Sequence, residues 1–167
     1  MMRTVNRRDF LVRSSGALAG AMALPAFAST PVLTVRGAIE GVDASGNRRF
    51  DLAALQAMPQ SSFKTATPWQ KQPAVYSGVA VGTFLSALKA KGTKLRLIAL
   101  NDYAVVADIK ELTGNGAILA IARDGVALPI SDKGPIFVVF PFDSDAKLRT
   151  DSFYLHSVWQ LCQIDVL

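Results

Sequence analysis

Alternation of apolar and polar residues, with β-branched side chains concentrated in the alternating runs, predicts strands near 32–39, 62–67, 95–100, 103–107, 117–122, 136–140 and 157–166. The period lengthens in two places. Asp51 is a good N-cap for a short helix carrying Leu52, Leu55 and Met58. Val81, Phe84, Leu85 and Leu88 then recur at helical spacing until Gly92 ends the run. Asp124-Gly125 lies between two apolar segments and predicts a hairpin, because a two-residue type I′ turn needs positive φ at both central positions. The stretches 41–46 and 114–116 read as loops. Short strands, few helices and connections too brief for parallel crossovers predict an α+β domain whose twisted sheet is mostly antiparallel or mixed.

The N-terminal pattern is of another kind. The stretch NRRDFL (6–11) leads into a run of small apolar residues, 14–28, which closes on Ala26-Phe27-Ala28. Adjacent Arg7 and Arg8, Phe10-Leu11 at this offset and an A-x-A ending predict a twin-arginine signal peptide over 1–28, cleaved after Ala28. Its 15 apolar and small residues fall short of the roughly 20 that a membrane-spanning helix requires. The other apolar run, 137–140, is bounded by Pro135 and Pro141. These features predict a periplasmic protein with one domain over 29–167, a length that supports an ordinary core.

Charge changes the picture once the leader is set aside. Four of the 18 basic side chains (Arg3, Arg7, Arg8, Arg13) and one of the 13 acidic ones (Asp9) fall within 1–28, so 14 and 12 remain. Without a run of Lys or Arg, that balance gives no electrostatic footprint for nucleic acid. A lone cysteine, Cys162, closes no intramolecular disulfide and supplies no cysteine pair for structural zinc. It reads as a small buried hydrophobe on a strand with Val158, Ile164 and Val166. The single histidine, His156, excludes a His-rich metal cluster. No P-loop, G-x-G-x-x-G, G-x-S-x-G or H-E-x-x-H occurs.

The ordered set FDLAALQAMPQ (50–60), TPW (67–69), YSGVAVGTFLSAL (76–88), ALNDYAV (99–105), ILAIARDGVAL (118–128), DKGPIFVVFPFD (132–143) and SVWQLCQIDV (157–166) resembles the molybdopterin-binding domain of the sulfite oxidase-like family. The similarity covers nearly the whole chain after the leader, and is strongest to the small members that consist of this domain alone. It implies that family's mixed-sheet α+β fold. It also implies a reason for the exporter, since members load a molybdenum cofactor in the cytoplasm and cross the membrane folded. In cofactor-bearing relatives of the bacterial periplasmic type a cysteine four residues before a tryptophan ligates molybdenum. If Trp69 is that tryptophan, Thr65 holds the cysteine's place. A hydroxyl is no substitute for a thiolate toward a soft metal.

The resemblance therefore implies a retained fold without the metal tie, and no catalytic residue or metal ligand is assigned. The expectation is a cofactor-free periplasmic binding or accessory protein, with a sensory role suggested by standalone relatives. Its partner would be a small polar or anionic ligand, a membrane-bound periplasmic sensor domain, or both. The alternative is a molybdopterin-dependent oxidoreductase that keeps a molybdenum-molybdopterin cofactor without cysteine ligation.

Candidate ligand-binding residues are Thr65, Trp69, Asn101, Asp102, Tyr103, Lys133, His156 and Trp159. Asn101-Asp102-Tyr103 borders the cofactor cleft in the resembled family, and equally reads as a plain type I′ turn. Lys133 precedes a buried strand, where it is either an ammonium at the cleft mouth or a solvated turn lysine. His156 is the one side chain with an unperturbed pKa near neutrality, and also fits a satisfied structural histidine. Trp69 and Trp159 suit a cleft wall as well as a core. Asp143 and Asp145 have calcium-like spacing but lack further oxygen ligands, and read as solvated loop.

Overall fold

The computed structural model describes residues 30–167. The signal peptide read from Arg7-Arg8, and its cleavage after Ala28, lie outside the described residues. Among the described residues the strands are β1 (Leu33–Gly37), β2 (Asn47–Phe50), β3 (Gln60–Thr67), β4 (Gln70–Ala80), β5 (Lys94–Ala99), β6 (Ala104–Asp108), β7 (Ile118–Arg123), β8 (Val126–Ala127), β9 (Phe137–Val139) and β10 (Leu161–Val166). Between them run helices α1 (Leu52–Gln56), α2 (Val81–Ala87), α3 (Ile109–Gly114) and α4 (Asp151–His156), with single 3-10 turns at Ile130–Asp132 and Ala146–Leu148.

The chain is a mixed α+β structure with two sheets rather than one. The first has the order β2-β1-β10-β5-β6. Its one parallel pairing joins the first strand to the last, Thr34 opposite Gln163 through Gly37 opposite Val166. That pairing needs no dedicated crossover helix, because nearly all of the domain lies between the two strands. The second sheet has the order β3-β4-β7-β8, with β9 sharing the edge of β7. Alternation sends Leu33 and Val35 of β1, and Leu95, Leu97 and Ala99 of β5, into the core, where they join Val79, Phe84, Phe137 and Phe140 in one buried cluster. Each such side chain contributes about 1.5–3 kcal/mol by leaving water.

Local signals that are chemically specific match the structure. The Asp51 carboxylate accepts the Ala54 N–H at 2.6 Å and starts α1. Asp124 and Gly125 both have positive φ, 49° and 79°, and close the β7–β8 hairpin. Other expectations need correction. The strand read over 157–166 begins only at Leu161, because 157–160 form a turn with Gln160 at φ 52°. Cys162 is half-buried, not buried, because the β10–β5 register shifts between Leu161 and Gln163 and breaks the simple alternation. Two strands escape the pattern altogether. β2 carries Arg48 and Arg49, and β4 opens on Gln-Lys-Gln-Pro, so neither start looks apolar. Pro73 is tolerated because the β3–β4 pairing is irregular between Thr65 and Thr67, opposite that stretch.

Candidate functional site

The β3–β4 turn lifts Trp69 to the surface, held below by the Gln70 N–H donating to the Thr67 hydroxyl at 3.1 Å. The Trp69 ring meets Trp159 edge to face at 5.0 Å, Tyr154 of α4 at 6.0 Å and Phe137 of β9 at 6.2 Å. These contacts gather the β3–β4 turn, α4 and the 157–160 turn around a cleft of about 270 Å³, lined by Trp69, Asn101, Tyr103, Tyr154, Trp159 and Gln160 among others. Trp69, Tyr103 and Trp159 stay 38–40% exposed, an unusual concentration of open aromatic surface in a concave place.

The polar groups of this cleft are partly spent. Asn101 Oδ1 accepts the Tyr103 N–H at 3.2 Å. Only Asp102 has positive φ, so the connection is an Asn-stabilised turn and not the type I′ turn that the sequence allowed. Tyr103 Oη donates to the Leu155 carbonyl at 2.9 Å, tying the turn to α4. Gln160 Nε2 donates to the Ile130 carbonyl at 2.7 Å. The Asn101 amide N–H groups and Gln160 Oε1 have no hydrogen bond to another described residue.

Lys133 stands behind the cleft, not at its mouth. Its Nζ lies 5.0 Å from the centroid of the Trp159 ring, and its side chain is only 13% exposed, so it is no solvated turn lysine. Asp132 neutralises it at 3.0 Å and reaches Arg123 at 2.7 Å with its other oxygen. Arg123 in turn donates to Gln70 Oε1 at 2.9 Å, one residue past Trp69. Lys133 first, then Arg123, hold the Asp132 carboxyl below its ordinary range, and the bond to Asp132 raises Arg123. Burial pushes the nearby Tyr76 phenol upward.

Four residues before Trp69 the environment inverts. Thr65 is wholly buried; its Oγ1 donates to the Ala66 carbonyl at 3.0 Å and accepts the Asp143 N–H at 3.0 Å. Asp143 returns the contact, accepting the Ala66 N–H at 2.7 Å through Oδ2 and pairing with Arg149 at 3.2 Å through Oδ1. Asp143 is thus a structural clasp, where the sequence suggested solvated loop. Asp145 likewise caps the second 3-10 turn, accepting the Lys147 N–H at 2.9 Å. Beside this corner a second depression of about 330 Å³ is lined by Lys71, Asp143, Arg149 and Tyr154.

Asp102 and His156 do not line the aromatic cleft. Asp102 borders an open groove with Arg36, Arg96 and Asp165. His156 turns toward α3, with Nδ1 3.4 Å from Glu111 Oε2. Of the eight residues named from sequence, the structure brings together Trp69, Asn101, Tyr103 and Trp159, with Lys133 behind them and Thr65 sealed nearby. Tyr154 and Gln160 were missed. No period marks the six-residue helix α4, and Gln160 sits in a turn that alternation reads as strand.

At Thr65, the position that the resemblance gives to a molybdenum-binding thiolate, the side chain is a hydroxyl. The hydroxyl at Thr65 is buried with both its donor and an acceptor position used, and it is not an anionic soft ligand. Cys162 lies on β10, its Sγ 3.4 Å from the Ile98 carbonyl, and burial, then the Asp102 carboxylate, raise its thiol further from the reactive thiolate. Among the described residues no three His, Cys, Asp or Glu side chains converge on a metal position. No helix among them is long and apolar enough to cross a membrane.

No protein-family model and no curated protein matches the chain. Among solved structures, the sulfane dehydrogenase SoxCD from Paracoccus pantotrophus matches with a TM-score of 0.61 at 16% identity, over 80% of this chain and 37% of that one. The chain thus spans well under half of that protein's length, and what the likeness establishes is a shared α+β fold.

Proposed function

We propose that this chain is a sulfite oxidase-like domain that has given up protein ligation of molybdenum and works as a periplasmic binding or accessory protein, exported by the twin-arginine route. The observation that carries this reading is Thr65. Where the resembled family places a metal-binding thiolate, this chain places a hydroxyl consumed by the Ala66 carbonyl and the Asp143 N–H. The aromatic cleft beside it is the ligand site. Its lining is uncharged, and the nearest ammonium, Lys133, is matched by Asp132, so the lining favours a small polar ligand with an apolar face over a free anion. A membrane-bound sensor domain reading that ligand is the proposed partner.

Elemental analysis of protein purified from the periplasm of a host competent for molybdenum cofactor synthesis tests the reading. Trace molybdenum, unchanged by Thr65→Ala, is the expected result. About one molybdenum per chain, with oxidation of sulfite or reduction of a sulfoxide, overturns it in favour of an oxidoreductase without cysteine ligation, a reading to which the shared fold with a dehydrogenase lends support. Export is tested separately: replacing Arg7 and Arg8 with lysine is expected to strand the precursor in the cytoplasm.

A further inference from the structure

Two side-chain amides line the aromatic cleft, and backbone groups fix which end of each is left for a ligand. Asn101 Oδ1 accepts the Tyr103 N–H, so the Asn101 amide N–H groups remain. Gln160 Nε2 donates to the Ile130 carbonyl, so Gln160 Oε1 remains. A backbone N–H can only donate and a carbonyl can only accept, which orients both amides without ambiguity. The two residues also come from adjoining backbone, because the Leu100 N–H donates to the Gln160 carbonyl at 3.0 Å. The cleft thus offers donors from one amide and an acceptor from the other. A hydroxyl, which donates and accepts at once, answers both, whereas a carboxylate only accepts and an ammonium only donates.

The aromatic walls narrow the choice further. Trp69 and Trp159 meet at 87°, so they form a corner and cannot sandwich a flat aromatic ring between parallel faces. A corner suits a thicker, saturated ring, whose C–H groups, polarised by neighbouring oxygens, lie against an electron-rich aromatic face. A cation is disfavoured, because the Trp159 ring already holds the Lys133 ammonium at 5.0 Å, from outside the cleft lining. An anion is disfavoured as well, because no charged side chain lines the cleft. We propose that the ligand is a neutral sugar, a pyranose ring with its C–H face against the Trp69–Trp159 corner and its hydroxyls shared between the Asn101 amide and Gln160 Oε1. The cleft, about 270 Å³, lies at the small end of ligand pockets, about 300–1,000 Å³, and so takes a single ring. This proposal rests on the cleft being the ligand site and adds the chemical class of the ligand.

Tryptophan emission reads the binding, because both tryptophans of the chain line the cleft. The sugar probes are glucose, galactose, mannose and N-acetylglucosamine, with cellobiose, lactose and diacetylchitobiose to distinguish a free sugar from the terminal ring of a glycan. Glycerol, cyclohexanol, choline and benzoate serve as hydroxyls without a ring, a ring with one hydroxyl, a cation and an anion. At least one sugar is expected to change the emission saturably, to bind at least about tenfold more tightly than these controls, and to show upfield-shifted C–H proton resonances when bound. Trp159→Ala is expected to abolish that binding, and Asn101→Ala to weaken it about three- to tenfold. Should Trp159→Ala fail to fold, the upfield shifts in the unaltered protein and the Asn101→Ala affinity decide. Saturable binding of choline, benzoate or cyclohexanol, with none of the sugars bound, overturns the sugar proposal and leaves the ligand site standing. Sugar binding that Trp159→Ala leaves unchanged overturns the cleft as the site, and no response to any probe overturns both.

Discussion

Thr65 and Trp69 stand four residues apart at one end of the β3–β4 hairpin, and the structure treats them in opposite ways. Thr65 is sealed: fully buried, its hydroxyl committed twice, its neighbour Ala66 clasped by an aspartate 77 positions along the chain. Trp69 is open: 38% exposed, ringed by other aromatics, and beside amide groups that still have hydrogen-bonding capacity to offer. The difference shows where this fold keeps open aromatic surface and unspent hydrogen-bonding groups. A saturated polar corner stabilises and has nothing left for a ligand, whereas an exposed aromatic wall with unspent polar groups adds little to stability and much to binding.

The comparison is sharpest where the two regions share a support. Phe137 is fully buried and meets both Tyr76, at 5.7 Å, and Trp69, at 6.2 Å, edge to face. Phe137→Ala is expected to cost about 3–5 kcal/mol in chemical denaturation, because it opens a cavity under the cleft as well as in the core. A loss below about 1 kcal/mol would mean that the cleft floor is not part of the core.

Thr65→Val keeps the shape of the sealed corner and removes its hydroxyl. It leaves the Asp143 N–H without its partner, so about 1–3 kcal/mol of destabilisation is expected, measured the same way. A neutral outcome would mean that water replaces the hydroxyl and the corner is not sealed. On the open side, Tyr103→Phe removes only the bond to the Leu155 carbonyl. Its expected stability cost is about 0.5–1 kcal/mol. Tryptophan emission should report a looser α4, and a cost matching that of Thr65→Val would erase the contrast.

The smallest effect concerns Asp132, which ties Lys133 and Arg123 behind Trp159. Its carboxyl is held low by those two cations, so its stabilising contribution is present above the unfolded carboxylate value, about 3.9, and is lost as pH falls through the lower folded value. With the side chain 36% exposed, solvent screening limits that contribution to about 0.2–1 kcal/mol. Asp132→Asn should therefore be slightly less stable than the unaltered protein at neutral pH, and the gap should close on acidification below about pH 4. Thermal unfolding at several pH values checks this; a gap that widens in acid would contradict the assignment.

What the sequence by itself determined is local. Alternation placed the strands of the core, Asp51 started a helix and Asp124-Gly125 closed a hairpin, because each of these depends on residues within a few positions of one another. Strands with polar starts, β2 and β4, and the six-residue helix α4 were illegible because burial on one face, not intrinsic pattern, makes them regular. Only the tertiary structure decided that Asp143 closes on Thr65, that Trp159 meets Trp69, that Lys133 packs behind the cleft, and that His156 turns to Glu111. Those contacts join segments up to 90 residues apart (Trp69 and Trp159), and they are set by sheet register and by the shape of the shared core, neither of which is written in any short stretch of the chain.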